Sequence, residues 1–209
     1  MRRILLLAPV LICLAFLGLA AGMLSAQSTP PVPALSSPSW QLDFVFDKPQ
    51  RFVIASSADY RLHVYWAVHY TVTNNTGQDV FFNPIFELRT DTGRILKPVA
   101  VVDPALFAQL QKAVGDALMV NPMLMAGRLL QGDDNARSSA ALFTDLPDDA
   151  RGFDLYVAGL SGETATQMDP LTHKLVVLQK TLDLNYSLPG QAINIEPSPQ
   201  LISRTWVMR

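Results

Sequence analysis

Asp91-Thr92-Gly93 lies in the stretch "LRTDTGRIL", between Arg89 and Arg94. In an apolar site, such a triplet can pair with a second carboxylate, share a proton and activate water. With an arginine close on each side, a hairpin turn accounts for Asp, Thr and Gly, so the triplet is expected to be structural. The three histidines are His63, His69 and His173. His63 and His69 fall on one face of an extended segment but about 20 Å apart, too far to share one metal ion. Met119, Met123 and Met125, in "MVNPMLMAG", offer soft thioether donors suited to Cu(I), and they define a metal-carrier reading of the chain. The same residues also fill irregular core gaps. Asp133-Asp134 and Asp148-Asp149 lack the ligand spacing of a calcium loop and read as solvated turns. "GLSGE" around Ser161 lacks the spacing of a nucleophile elbow, and no phosphate loop or dinucleotide fingerprint occurs. No nucleophile, base and orienting group can be assembled, so the expectation is a non-enzymatic protein without a cofactor.

These residues belong to a chain of 209 amino acids with a net charge of −2, which carries no electrostatic footprint for nucleic acid. It opens Met1-Arg2-Arg3 and continues "ILLLAPVLICLAFLGLAAGML", the layout of a secretory signal peptide, with small residues at "LSAQS" that place cleavage near Ala26. The apolar run is also long enough for an uncleaved membrane anchor. Pro9, Gly18 and Gly22 interrupt it, which favours cleavage and leaves no stable span in the mature chain. The one cysteine, Cys13, departs with the signal, and with it any disulfide or thiolate metal site. The expected location is secreted or periplasmic. Residues 27–39, "QSTPPVPALSSPS", are rich in proline and serine and read as an extended tether.

From Trp40 onward the pattern is that of strands. "WQLDFVF" alternates, "RFVIAS" is short and β-branched, and residues 61–74 hold a period of two over a dozen positions. Val64, Trp66, Val68 and Tyr70 share one face of that long strand and are the predicted core anchors. Asn74-Asn75-Thr76-Gly77 and Asp91-Thr92-Gly93 predict two consecutive hairpins and hence a meander. In "DPALFAQLQKAVGDALMV", Asp103 can cap, Pro104 suits a first helical position, and Leu106, Phe107, Leu110, Val114 and Leu118 recur at helical spacing. This predicts a helix over 104–119 whose stripe covers an end or edge of the sheet. Strands resume at "AALFTDL", "FDLYVAGL" and "HKLVVLQKTLDLNYSL". Seven or eight strands with one helix fit an all-β, antiparallel β-sandwich domain over residues 40–190, followed by a proline-broken tail, 191–209, free to dock on the body or on a partner.

The order of "VTNNTGQDVFF", "FELRTDTGR" and "LLQGDDNARSSAALFTDLPDDARGFDLYV", roughly residues 60–160, resembles the bacterial secreted domains of unknown function with a telokin-like, immunoglobulin-like fold. This chain differs from that pattern in having Gly132-Asp133-Asp134 where Gly-Glu is usual and in its inserted helix. The resemblance implies an immunoglobulin-like sandwich and supplies no catalytic residues. It also implies an exported module that binds or organises another envelope protein. The alternative is a periplasmic copper or small-ligand carrier using Met119, Met123 and Met125.

Overall fold

The computed structural model describes residues 29–35, 39–55, 61–189 and 199–209. The expected signal peptide, residues 1–26, and part of the expected tether lie outside the described residues. Pro31–Arg209 form one compact unit. Its twelve described strands make an all-β antiparallel sandwich with one inserted helix. That is more strands than the sequence pattern predicts, because several are only two or three residues long.

The first sheet is built around β3 (Leu62–Thr73). One edge of β3 takes β8 (Arg137–Thr144), in register from Tyr65↔Thr144 to Val72↔Arg137. Because β8 overlaps nearly all of β3, the other edge must be shared end to end by β1 (Asp43–Phe46), opposite Tyr70 to Thr73, and β2 (Gln50–Ala55), opposite Leu62 to Ala67. Lys48-Pro49 separates the two, since proline has no N–H to give the ladder.

The second sheet runs β10–β11–β9–β5–β6, with β12 on the other side of β11. Its members are β5 (Ile85–Thr90), β6 (Ile95–Leu96), β9 (Gly152–Ala158), β10 (Thr164–Met168), β11 (Leu175–Ser187) and β12 (Gln200–Met208). Residues 200–208, expected in a tail, therefore form a nine-residue strand hydrogen-bonded along β11. "QLISRTWVM" lacks proline across that span, and the proline-rich residues before it do not prevent pairing. A small third sheet joins β4 (Val80–Phe82) to β7 (Gly127–Leu129).

Of the two predicted hairpins, only the second forms. Asp91-Thr92-Gly93 turns β5 into β6, with Gly93 at φ 86. Asn74 does not return the chain beside β3. It is fully buried, its Nδ2 donates to the carbonyls of Gln78 and Leu129, and its Oδ1 accepts from the Thr76 N–H and hydroxyl. These bonds fix an Asx turn that carries the chain out of the first sheet and toward β7.

Between the sheets lies one aromatic and aliphatic core. Trp66, Val68 and Tyr70 are buried in it, with Phe44, Phe86, Phe153, Leu155, Leu184 and Tyr186, whereas Val64 near the end of β3 is half-buried. The Trp66 indole N–H donates to Asp145 Oδ1 at 2.9 Å, and Arg51 pairs with the same carboxylate at 2.9 Å, so the indole's one polar atom is satisfied.

The helix, α1 (Pro104–Val114), is shorter than predicted. Asp103 accepts from the N–H groups of Ala105 and Leu106, and Gly115, at φ 82, closes the C-terminus with an N–H bond to the Gln111 carbonyl. Past that left-handed cap the periodicity no longer applies, and Leu118 is exposed. The helix covers the outer face of the first sheet rather than an end or edge. Leu110, with Leu106, Phe107 and Val114, packs over Ala67, Ala140 and Leu142. The small side chains of Ala67 and Ala140 on that face leave room for the helix, so the centre of β3 is buried on both faces.

Candidate functional site

The three methionines of the predicted site lie in different settings. Met125 is in the inter-sheet core, Met119 lies in the separate cluster beneath α1, and Met123 stands at the surface with 55% of its area exposed. Among the described residues, no group of three or more His, Cys, Asp or Glu is arranged to hold a metal ion. His63 stacks near Tyr65. His69 bridges Asp47, at 2.7 Å, and Asp116, at 3.1 Å, while the Ser138 hydroxyl donates to Asp116. That hydroxyl, ahead of His69, holds the Asp116 carboxyl below its ordinary range. This constellation resembles a relay only superficially, because Ser138 donates to the carboxylate and not to the imidazole; it ties the end of α1 to β3 and β8. Asp91 accepts the Arg151 N–H, an anchoring role for the triplet considered in the sequence. Asp133 accepts from Asn75, and Asp148 gives only its carbonyl to Arg151.

What the structure does assemble lies on the outer face of the second sheet. Alternate residues of a strand share a face, so Leu175, Val177 and Gln179 at one end of β11 lie on the same side as Thr181, Asp183 and Asn185 at the other.

At the first end, β10 and β11 form a two-stranded arm, with Met168 opposite Leu175 and Thr166 opposite Val177. Asp169 organises its tip, accepting from the N–H groups of Leu171 and Thr172 and from the Thr172 hydroxyl. These bonds lower the Asp169 pKa, the hydroxyl first. His173 is the one described non-glycine residue at positive φ, as the tight tip requires. Leu171 (89% exposed), Leu175 (71%), Val177 (65%) and Met168 (48%) present an apolar surface to solvent. Contiguous apolar exposure of this kind is a common feature of interaction sites in proteins generally.

The base of the arm is fixed. Lys180 and Glu163, 3% and 7% exposed, form an ion pair at 2.9 Å, and the Lys180 ammonium lies 5.3 Å from the centre of the Trp206 ring. Glu163 also accepts the Ala34 N–H at 2.7 Å. Beside them Gly162 runs against Trp40 so closely that a Cβ would come within 2.6 Å of the indole nitrogen.

At the second end, two cross-strand rows bring charged and aromatic groups together. Glu87 stands opposite Tyr156, which stands opposite Asp183; Arg89 stands opposite Asp154, which stands opposite Asn185. Arg89 pairs with Asp154 at 3.1 Å, Asn185 donates to Asp154 at 2.6 Å, and Arg209 pairs with Glu87 while its guanidinium lies 4.0 Å from the Tyr156 ring centre. Asp183 Oδ1 is buried without a hydrogen-bond partner among the described residues. Burial and then the Asp154 charge raise the Asp183 carboxyl above its ordinary range, and burial followed by the Asp183 charge raises the Tyr156 phenol.

This face was legible only in part. "FDLYVAG" and "LDLNYS" alternate apolar and polar residues, which signals a polar outer face, but which strands are neighbours is not written in either.

The fold and this face define an antiparallel β-sandwich module with a projecting apolar arm and an Arg–Tyr–carboxylate lattice. No protein-family model matches the chain, and no curated protein or solved structure matches it either.

Proposed function

We propose that the protein is an exported, non-enzymatic, immunoglobulin-like module that binds or organises another envelope protein, and that it docks through the outer face of its second sheet. The observation that carries this reading is continuity. One strand, β11, places the exposed Leu175 and Val177 on the same side as the Asp183 and Tyr156 lattice, flanked by Arg89 and Arg209. Tyrosine, arginine and a compact apolar anchor are the residue classes that concentrate binding energy at interfaces. The N-terminal apolar run supports export, and no helix among the described residues is long and apolar enough to cross a membrane. The copper-carrier alternative has less support, since its three methionines lie in three different settings.

The test is site-specific photocrosslinking in the cells that make the protein. A crosslinker at Val177 is expected to capture one discrete protein, while one at Lys97, exposed after β6, does not. Loss of that product with Leu171→Asp would place the contact on the arm. Equal or absent labelling at both positions would sink the proposal.

A further inference from the structure

The chain passes the edge of β8 that faces away from β3 twice, before α1 at Val99 and after it at Val120. The Val99 N–H donates to the Leu142 carbonyl at 2.7 Å, and the Val120 N–H donates to the Ser138 carbonyl at 2.8 Å. The Asn121 side chain donates to the Val102 carbonyl at 3.1 Å, so the two passes are also tied to each other. Bounded by both passes and by the start of β5, a pocket of about 150 Å³ remains. Buried Phe86, Val102 and Leu142 close its floor. Its rim consists of the lining residues that solvent reaches: Pro84, Pro98, Val99, Ala100, Pro122 and Met123.

The rim offers a ligand almost no hydrogen-bond donor. Pro84, Pro98 and Pro122 have no N–H to give. The Val99 N–H is spent on Leu142, and the Met123 N–H donates to the Asn121 side chain at 3.0 Å. The Tyr70 hydroxyl, behind the rim, is paired with the Ser139 side chain, and no charged residue lines the pocket. A peptide or a sugar would lose water from several polar groups here and find few partners in exchange. A hydrocarbon has no such loss and gains from burial. A space of this size takes about six carbons, as an apolar cavity of the same volume takes benzene. Met123 is 55% exposed, and Val101 and Leu124, chain neighbours of the rim, are 64% and 70% exposed. A chain longer than the pocket therefore continues over further apolar side chains, which fits an extended aliphatic ligand better than a compact ring.

We propose that this pocket binds the end of an unbranched aliphatic chain, such as an acyl group presents, and takes about six of its carbons. Recognition is by contact and exclusion of water alone, with the flexible Met123 thioether closing over the chain at the opening. The bonds that pin Val99, Val120 and Asn121 hold the pocket open in advance, so little has to be ordered when the chain enters. The site shares no residue with the proposed docking face and does not depend on it.

The experiment is a titration of the full chain, labelled with ¹³C at its methionine methyl groups, with 1-hexanol, followed by methyl NMR. The Met123 resonance is expected to shift and saturate at millimolar hexanol, while that of Met168, exposed on the arm, stays in place. Across 1-butanol, 1-pentanol and 1-hexanol the dissociation constant is expected to fall about fourfold per added methylene. N-acetyl-leucinamide is expected to bind at least about tenfold more weakly than 3-methyl-1-butanol, which carries the same branched end without the peptide groups. Ala100→Trp, at an exposed position on the rim, is expected to abolish the Met123 shift while leaving the rest of the spectrum dispersed. A Met123 resonance that does not move, or that moves together with Met168 without saturating, would overturn the site. A dissociation constant indifferent to chain length, or N-acetyl-leucinamide binding as tightly as 3-methyl-1-butanol, would overturn the aliphatic ligand. If Ala100→Trp does not fold, the alcohol series on the unmodified chain still decides.

Discussion

Lys180→Met breaks the ion pair at the base of the arm while keeping most of the side-chain volume. Both partners are almost wholly enclosed, and the pair is 2.9 Å long. Removing one member of a buried pair leaves an uncompensated charge and costs about 3–5 kcal/mol. Glu163 keeps the Ala34 N–H, which offsets part of that loss and places the expected cost near the lower end, about 3 kcal/mol. For a domain of this length that corresponds to a fall of about 6–12 °C in Tm. The measurement is urea unfolding of the parent, Lys180→Met, Glu163→Leu and the double variant. Replacing both partners with apolar groups is expected to recover most of the loss, because no buried charge remains unpaired. A single variant costing less than about 1 kcal/mol would show that the two charges are solvated in the folded state. A double variant as unstable as the sum of the singles would show no coupling between them. Either outcome refutes the reasoning.

Trp66→Ala is expected to cost about 3–5 kcal/mol, since it empties core volume and strips a donor from Asp145; an unchanged unfolding midpoint would remove Trp66 from the core. Asp183 has a raised folded pKa, so the folded state holds its proton more tightly than the unfolded state, and stability falls as pH rises from the ordinary carboxylate range through the folded value. Asp183→Asn should therefore raise Tm at pH 7 and lose that advantage below about pH 4, whereas a lower Tm at pH 7 would contradict it. Asp116 behaves oppositely: its lowered pKa contributes stability above the ordinary carboxylate range that disappears as pH falls through the folded value. Ser138→Ala should cost about 1.5 kcal/mol at pH 7 and nothing once Asp116 is protonated in both states, which paired melts at the two pH values would check. Asp169→Ala should speed amide exchange at Leu171 and Thr172 without moving global Tm; unchanged exchange would show that the tip holds itself without that carboxylate.

The strands with sustained alternation, β3, β9 and the long half of β11, could be read directly from the sequence because burial of one face writes a period of two, whereas β8, buried on both faces from Ser139 to Phe143, shows instead as a short continuous apolar run. The helix start was equally legible in Asp103-Pro104. Its end was not, since Leu118 continues the spacing while Gly115 already supplies the left-handed cap. Asn74-Asn75-Thr76-Gly77 carries true turn chemistry, but composition cannot say whether a turn returns the chain to the same sheet. Here the buried bonds of Asn74 to Gln78 and Leu129 decide, and the second bond is long-range. The face proposed to dock draws on β5, β9, β10, β11 and β12, so its assembly depends on strand order. The three methionines looked like a set by spacing alone, yet the Asn121-capped turn at Pro122–Leu124 lies between Met119 and Met125, which enter different hydrophobic clusters.

The bond from Ala34 to Glu163 determines where the N-terminal segment meets the sandwich. It brings the proline-rich stretch to the base of the β10–β11 arm, beside the apolar residues proposed to dock. If that stretch joined the module to a surface, the arm would be held close to whatever else occupied that surface. Encounter would then be governed by effective concentration, in the millimolar range for a short tether, rather than by free diffusion. Even a weak contact through Leu171, Leu175 and Val177 would stay largely occupied, and the same arm would lose most of its partner once the tether was cut.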